Sequence, residues 1–331
     1  VDCSIENLQK LQNGEIDLGG AEDEVKRLLS GKRIGTLQTW DQIDSMLDNI
    51  TSKEFRGVMK DSFGGSWIYN WLCMTHVGFT GMNPRRRDIG YHNIFDHYCE
   101  YFDRKSDNTD LIQWHYHALS LTNDAHRAGS VYLNSDHIYQ ILSRGIIDRS
   151  WFPSVFRAGH NTQRPDSHFF LEQWIPFDFS NTSFETSEAV NAASTSRFGD
   201  WRRASKLWRP YNPSHDDYQV EGNCRRYITR CLSVDDWEYS IRLEDVGEAF
   251  KQADECGASI LSFTHHDFRD MAPDVAKMRD MIHRCSEEYP DVSFKYSTAV
   301  DAMRAVANVG DVEAIGLSVN LEKNGSSARL V

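Results

Sequence analysis

Two histidines stand two positions apart in the run DLIQWHYHALS, at His115 and His117. Residues 111–117 are a short, aromatic-rich run between polar breakers, which indicates a β-strand. Since alternate residues of a strand point to the same face, the two imidazoles are expected side by side. Neutral imidazoles are common ligands of divalent metals, so the pair predicts part of a metal site. Two hydrogen-bonded core histidines are the alternative.

Polar side chains also follow the next two predicted strands, at residues 154–157 and 174–179. Arg157 ends the first strand with His160 close behind it, and Asp178 lies near the end of the second. The carboxyl ends of parallel strands meet at one edge of a sheet, where α/β folds place their sites. We therefore expect these three residues beside the histidine pair, with His160 contacting substrate. A structural Arg–Asp salt bridge is the alternative.

A further predicted strand, at residues 258–264, runs into the sequence THHD with His265, His266 and Asp267. A carboxylate beside a histidine can fix its tautomer and keep it protonated near neutral pH, as a general acid requires. Successive strand residues point to opposite faces, so at most one of the two histidines should face the site. Asp267 could instead cap the next helix.

Two features suggest a carbohydrate ligand. The run GMNPRRRDIGYH concentrates arginines in an acidic chain, and Arg86 is the candidate for binding a nucleotide-sugar phosphate or a uronate. A solvated charged surface is the alternative. The polar segment over residues 181–223 predicts a substrate-covering loop, in which Trp201 and Trp208 would stack on sugar rings.

Composition narrows the class of protein. The 331 residues are 40% apolar and carry a formal charge of −13, which allows a sizeable core and opposes nonspecific binding to nucleic acid. No apolar run reaches the roughly 20 residues of a membrane span. Seven cysteines without a C-x-x-C pair predict buried thiols in a reducing cytoplasm, a provisional location because the sequence starts without Met and a segment could precede it.

Helical and strand patterns alternate along the chain, which predicts a parallel sheet wrapped by helices, either closed as a barrel or open. The last residues alternate around Asn324 and Gly325, which predicts a hairpin. The helices are expected at residues 39–50, 91–102, 136–144, 167–173, 246–256 and 271–285. A last strand of the alternating core is expected at residues 292–296.

The order of these runs resembles the NodB-homology polysaccharide deacetylases, carbohydrate esterase family 4, in particular divergent members encoded in surface-polysaccharide gene clusters. The run VDCSIEN resembles the family's opening strand, with Asp2 at its first aspartate. His115 stands at the first position of the H-x-x-x-H motif. Leu119 occupies the second position, which leaves His117 as the substitute ligand.

The later runs keep the family's order across most of the chain. Arg157 matches the arginine motif, Asp178 the later aspartate motif, and His266 before Asp267 the closing histidine motif. The resemblance implies an α/β fold, a distorted (β/α)7-type barrel. It would occupy residues 1–310, followed by a short C-terminal β element over residues 311–331.

The resemblance also implies a reaction, the metal-dependent hydrolysis of an N-acyl group, chiefly N-acetyl, from an amino sugar in polysaccharide, lipopolysaccharide or O-antigen biosynthesis. Zn²⁺ is the implied ion, and the partner is an amino-sugar saccharide or a nucleotide sugar. Asp2 would be either the general base or the third metal ligand. His266, oriented by Asp267 or Asp178, would protonate the leaving amine, and Arg157 would hold a carboxylate in its charged form.

Two other interpretations stay open. Amidohydrolase-type barrels also carry an H-x-H metal pair, but near the N-terminus, whereas His115 follows about a third of this chain. A carbohydrate-binding protein on a deacetylase scaffold, with catalysis decayed, is the alternative outside enzymes. The sequence does not predict the oligomeric state.

Overall fold

The computed structural model describes residues 10–11, 13–22, 36–76, 90–106, 108–118, 132, 136–184, 199–234, 240–310, 321–324 and 327–330. Over these ranges the protein is a mixed α/β fold. The strands are β1 (Asn70–His76), β2 (Leu111–His117), β3 (Val155–Ala158), β4 (Phe177–Asn181), β5 (Tyr227–Arg230), β6 (Leu232–Ser233), β7 (Phe263–Thr264), β8 (Leu321–Asn324) and β9 (Ser327–Leu330). The α-helices are α1 (Trp40–Ile50), α2 (Lys53–Arg56), α3 (Asn93–Asp103), α4 (Asp136–Arg149), α5 (Pro165–Glu172), α6 (Leu243–Cys256), α7 (Ala272–Glu288) and α8 (Ala299–Ala307).

The main sheet has five strands in the order β1-β2-β3-β4-β5, and every neighbouring pair is parallel. Strands β6 and β7 form a second, two-stranded parallel sheet. Strands β8 and β9 pair antiparallel, with Asn324 opposite Ser327. Parallel strands need long crossovers, and helices α3, α4 and α5 lie in the connections between the first four strands.

Strand β2 occupies the predicted residues 111–117, and its two faces differ in chemistry. Trp114 and Tyr116 are buried with Phe156 of β3 against apolar residues of α4 and α5. His115 lies on the other face, as strand alternation requires. One face of the sheet therefore forms an apolar core with the helices, and the other carries the histidines.

Local sequence signals account for several helix ends. Thr39 caps α1 with its hydroxyl, and Gln42 completes the capping box. Helix α6 ends at Gly257, as predicted, and this glycine has the left-handed φ of 84° that such a cap requires. None of the helices that the structure describes is long and apolar enough to cross a bilayer.

Three expectations about elements are wrong. Helix α4 continues past Gly145 to Arg149, because this glycine does not adopt the left-handed φ with which a glycine ends a helix. The strand expected over residues 258–264 is paired only at Phe263 and Thr264. Residues 292–296 are not a strand: the backbone of Phe294 is hydrogen-bonded to Ser62 in a loop.

Candidate functional site

The parallel register brings the histidine pair beside the arginine. His115 of β2 is the Cα partner of Met74 on β1 and of Arg157 on β3, so His115 and Arg157 share a face. Arg157 is buried, with 7% of its surface exposed, and its guanidinium donates to the backbone oxygen of Phe179. The structure thus places a fixed positive charge next to the two imidazoles.

The hydrogen bonds of His115 define its tautomer. Its Nδ1 lies 3.0 Å from the backbone oxygen of Arg157, and its Nε2 lies 3.0 Å from Nε2 of His117. A carbonyl oxygen only accepts, so Nδ1 carries the hydrogen and the Nε2 of a neutral His115 presents its lone pair. Burial, reinforced by the charge of Arg157, lowers the pKa of His115 to about 3, so this ring is neutral near pH 7.

His117 lies between two other imidazoles. Its ring centroid is 4.7 Å from that of His115 and 4.8 Å from that of His160. Gly159 allows this approach, because a Cβ on Gly159 would lie only 2.5 Å from Cγ of His117. The three histidines, which come from β2 and from the turn after β3, therefore form one cluster.

The turn that carries His160 is covered by a later segment. His160 and Asn161 have positive φ values of 50° and 52°. The indole Nε1 of Trp201 donates to the backbone oxygen of Asn161 at 2.7 Å, and the amide of Gly199 donates to that of His160 at 2.8 Å. These contacts hold the left-handed turn in place.

The two histidines after β7 have different surroundings. His266 is close enough to His115 to contribute to the lowering of its pKa. His265 instead has its Nε2 2.7 Å from the carboxylate of Asp274 on α7, and its Nδ1 2.8 Å from the backbone oxygen of His266. Of the pair, His266 is the one the structure brings towards the cluster.

Asp178 does not lie with the cluster, contrary to expectation. It is the register partner of Phe156, so it occupies the opposite face of the sheet from Arg157. Its carboxylate is fully buried and pairs with Arg226, and Gln163 donates to it at 2.7 Å. Asp178 therefore cannot orient His266, because the sheet separates them.

Of the remaining charged residues predicted for the site, the structure describes only Asp267. Asp267 accepts a hydrogen bond of 2.9 Å from the hydroxyl of Tyr98 on α3. It is thus tied to a helix of the surrounding layer. Asp2 and Arg86 lie outside the described residues.

Trp201 and Trp208 do not form the predicted sugar-stacking surface. Trp208 is fully buried, and the guanidinium of Arg230 lies 4.5 Å from its ring centroid. Trp201 is 3% exposed and packs edge-on against Tyr218. Both indoles are core residues of the described part of this segment, since their rings are covered by protein.

A group of side chains with the spacing of metal ligands lies away from the histidine cluster. Glu172, His215 and Cys224 each offer a ligand atom within 4.8 Å of the other two. Among the described residues, no other group of three His, Cys, Asp or Glu side chains meets that distance. No sequence signal indicates this group, because Glu172 and His215 are 43 residues apart and no motif links them.

Comparisons of the chain with protein-family models, with curated proteins and with solved structures find no match. Its function is therefore inferred from the chemistry of the cluster. The cluster joins a neutral histidine with a fixed lone pair, a second imidazole beside it, the buried cation Arg157 and a third histidine nearby.

Proposed function

We propose that the chain is a metal-dependent hydrolase that removes an N-acyl group, chiefly N-acetyl, from an amino sugar in polysaccharide or lipopolysaccharide biosynthesis. The observation that carries the proposal is the hydrogen bond from Nδ1 of His115 to the backbone oxygen of Arg157, with Nε2 of His117 3.0 Å from Nε2 of His115. Metal-ligating histidines commonly donate their second N–H to a carbonyl oxygen in this way.

The spacing of the pair supports metal binding. Two nitrogens bound tetrahedrally at about 2.0 Å from Zn²⁺ would be about 3.3 Å apart, close to the 3.0 Å between the Nε2 atoms of His115 and His117. The low pKa of His115 keeps its nitrogen available over the physiological range. In this proposal Asp2 either completes the ligand set or acts as the general base.

His115 and His117 would hold the Zn²⁺, which when bound would supply Lewis-acid chemistry for amide hydrolysis. His266 protonates the amine of the sugar as it leaves, and the proximity of His266 to His115 supports this role. Arg157 acts by position: its charge disfavours protonation of His115, and its backbone oxygen fixes the His115 ring.

The arrangement of strands supports a distorted (β/α)7-type barrel as the scaffold. Strands β1 to β5 are parallel and in chain order, and Cys231, between β5 and β6, donates its amide to Asn181 of β4. Asn70, at the start of β1, makes hydrogen bonds of 3.3 and 2.7 Å to Ser297 and Ala299. These contacts bring the beginning and the end of the α/β region together.

The proposed substrate is an amino-sugar saccharide or a nucleotide sugar, and the proposed location is the cytoplasm. Six cysteines of the described residues are free thiols, which fits a reducing compartment: Cys73, Cys99, Cys224, Cys231, Cys256 and Cys285.

The test is acetate release from a panel of N-acetylated amino sugars, free, polymeric and nucleotide-linked, by the zinc-loaded protein. We expect activity in the wild type and its loss in His266→Ala with the zinc content unchanged. His283→Ala is the control, because this histidine is on α7 and 62% exposed. Zinc bound by His115 and His117 without any acetate release would refute the hydrolase and favour the carbohydrate-binding alternative.

A further inference from the structure

We propose that Glu172, His215 and Cys224 form a second, structural site for a divalent transition metal, with Zn²⁺ the ion that their donors favour. This site would fasten the segment over residues 211–226 to the C-terminal end of helix α5. It is independent of the proposed hydrolase activity.

The donors suit zinc in both type and spacing. One carboxylate, one imidazole and one thiol have ligand atoms within 4.8 Å of one another, and Nε2 of His215 lies 2.8 Å from Oε2 of Glu172. Thiolate and imidazole together select zinc over magnesium or calcium. His215 is 48% exposed at its side chain, which leaves room for water as a fourth ligand.

The backbone brings the donors together without the metal. Residues 211–226 fold back on themselves, with the amide of Cys224 donating to Pro213 and that of Gly222 donating to Asn212. A Cβ on Gly222 would lie 2.5 Å from Cα of Ser214, so the two arms are in close contact. His215 and Cys224 thus sit on opposite arms of a pre-formed turn.

The carboxylate of Glu172 is also oriented in advance. Its Oε1 accepts a hydrogen bond of 2.9 Å from the backbone amide of Arg225, which leaves Oε2 facing His215. The guanidinium of Arg225 is 3.6 Å from Oε1 but 77% exposed, so it can move into solvent when a cation binds. A fixed outer hydrogen bond of this kind is typical of metal-ligating carboxylates.

Metal binding exchanges protons for the ion. The Cys224 thiol releases its proton to solvent as the sulfur–metal bond forms. Nε2 of His215, which donates to the Glu172 carboxylate in the metal-free protein, gives up that hydrogen to solvent and binds the metal through the lone pair this frees, while Nδ1 takes up a proton from solvent to keep the ring neutral. The reaction needs no oxidant or reductant, and its products are the metal complex and released protons.

The site would stabilise the side of the fold that supports the histidine cluster. The fastened segment contains Arg226, the partner of Asp178, and Tyr218, which packs on Trp201. Trp201 in turn donates to Asn161, beside His160. A metal at Glu172, His215 and Cys224 would therefore reinforce the turn that carries His160 from a distance.

The experiment titrates the metal-stripped 331-residue chain with Co²⁺ and records the thiolate-to-cobalt charge-transfer absorption. We expect an absorption band that saturates at one Co²⁺ per thiolate site and disappears when Zn²⁺ displaces the Co²⁺. Cys224→Ser should abolish the band, and His215→Ala should weaken Co²⁺ binding at this site by more than about tenfold. Cys256→Ser, an exposed thiol on α6, is the matched control and should keep it.

The double variant H115A/H117A separates this site from the proposed catalytic metal, because it should lose the catalytic ion and keep the band. Should Cys224→Ser fail to fold, His215→Ala decides, since that side chain is half-exposed. A wild type without the band, a band that persists in Cys224→Ser, or a band lost in H115A/H117A would overturn the proposal.

Discussion

Asp178 and Arg226 form an ion pair from which solvent is fully excluded on both sides. The pair lies on the face of the sheet that packs against α5, opposite His115 and Arg157. Arg226 also donates to Nδ1 of His168 at 3.1 Å, so Asp178, Arg226 and His168 form one buried polar network.

This placement predicts a structural role for the ion pair. Arg226→Met should lower the free energy of unfolding by about 3 to 5 kcal/mol, because it leaves the Asp178 carboxylate buried without its partner. The measurement is urea unfolding with chelator present. Arg225→Met, at the adjacent and largely exposed position, should change stability by less than about 0.5 kcal/mol. A stable but inactive Arg226→Met would instead place the pair in the active site.

His168 predicts a pH dependence of stability. Burial, followed by the charge of Arg226, lowers its pKa from 6.5 to about 2 in the folded protein. The unfolded chain therefore binds the extra proton first as the pH falls. The contribution of neutral His168 to the free energy of unfolding is fully present above pH 6.5. It is lost as the pH falls from 6.5 to about 2, by up to about 1.4 kcal/mol per pH unit.

His168→Asn should remove that contribution, because Oδ1 of asparagine can accept from Arg226 and does not titrate. The measurement compares unfolding free energies of both proteins from pH 7 down to pH 4. Equal slopes for the two proteins would show that His168 is not a buried neutral group.

Gly159 is predicted to be sensitive to a single added methyl group. Gly159→Ala should displace His117, because the new Cβ would meet its ring and backbone at 2.5 to 2.7 Å. We expect a stability loss of about 1 to 3 kcal/mol and weaker metal binding at the histidine pair. The control is Gly247→Ala within α6, where the nearest atom is 3.9 Å away and alanine favours the helix. Unchanged metal affinity in Gly159→Ala would argue against His117 as a ligand.

Trp208 should behave as a core residue and not as a sugar contact. Trp208→Ala should cost about 3 to 5 kcal/mol of stability, as expected for removing a fully buried indole. Leu207→Ala, at the neighbouring half-exposed position, should be close to neutral. A normal unfolding curve for Trp208→Ala together with a raised KM for a saccharide would restore its role in substrate binding.

Much of the local structure follows from sequence signals. The aromatic run of β2 and the glycine that ends α6 determine those elements locally. Strand β1 was not predicted, because in NWLCMTH only Thr75 is β-branched. The strand is determined instead by the pairing of β1 with β2 over seven positions.

Two rules of sheet geometry account for the part of the site that could be predicted: the alternation of side chains along a strand, and the common edge at which parallel strands end. Alternation places His115 and His117 on one face, and the structure adds Arg157 to that face. The face of Asp178 depends on how β4 aligns with β3, and a shift of one residue reverses it. The partner of Asp178, Arg226, comes from 48 residues further along the chain, which no local pattern shows.

Anomalous scattering at the zinc edge, from crystals grown with Zn²⁺, tests the central claim most directly because it locates each ion separately. We predict a peak within bonding distance, about 2.0 to 2.1 Å, of Nε2 of both His115 and His117. That peak should disappear in H115A/H117A. Crystals of the wild type with no peak at this pair, whatever ions they hold elsewhere, would contradict the metal-dependent hydrolase.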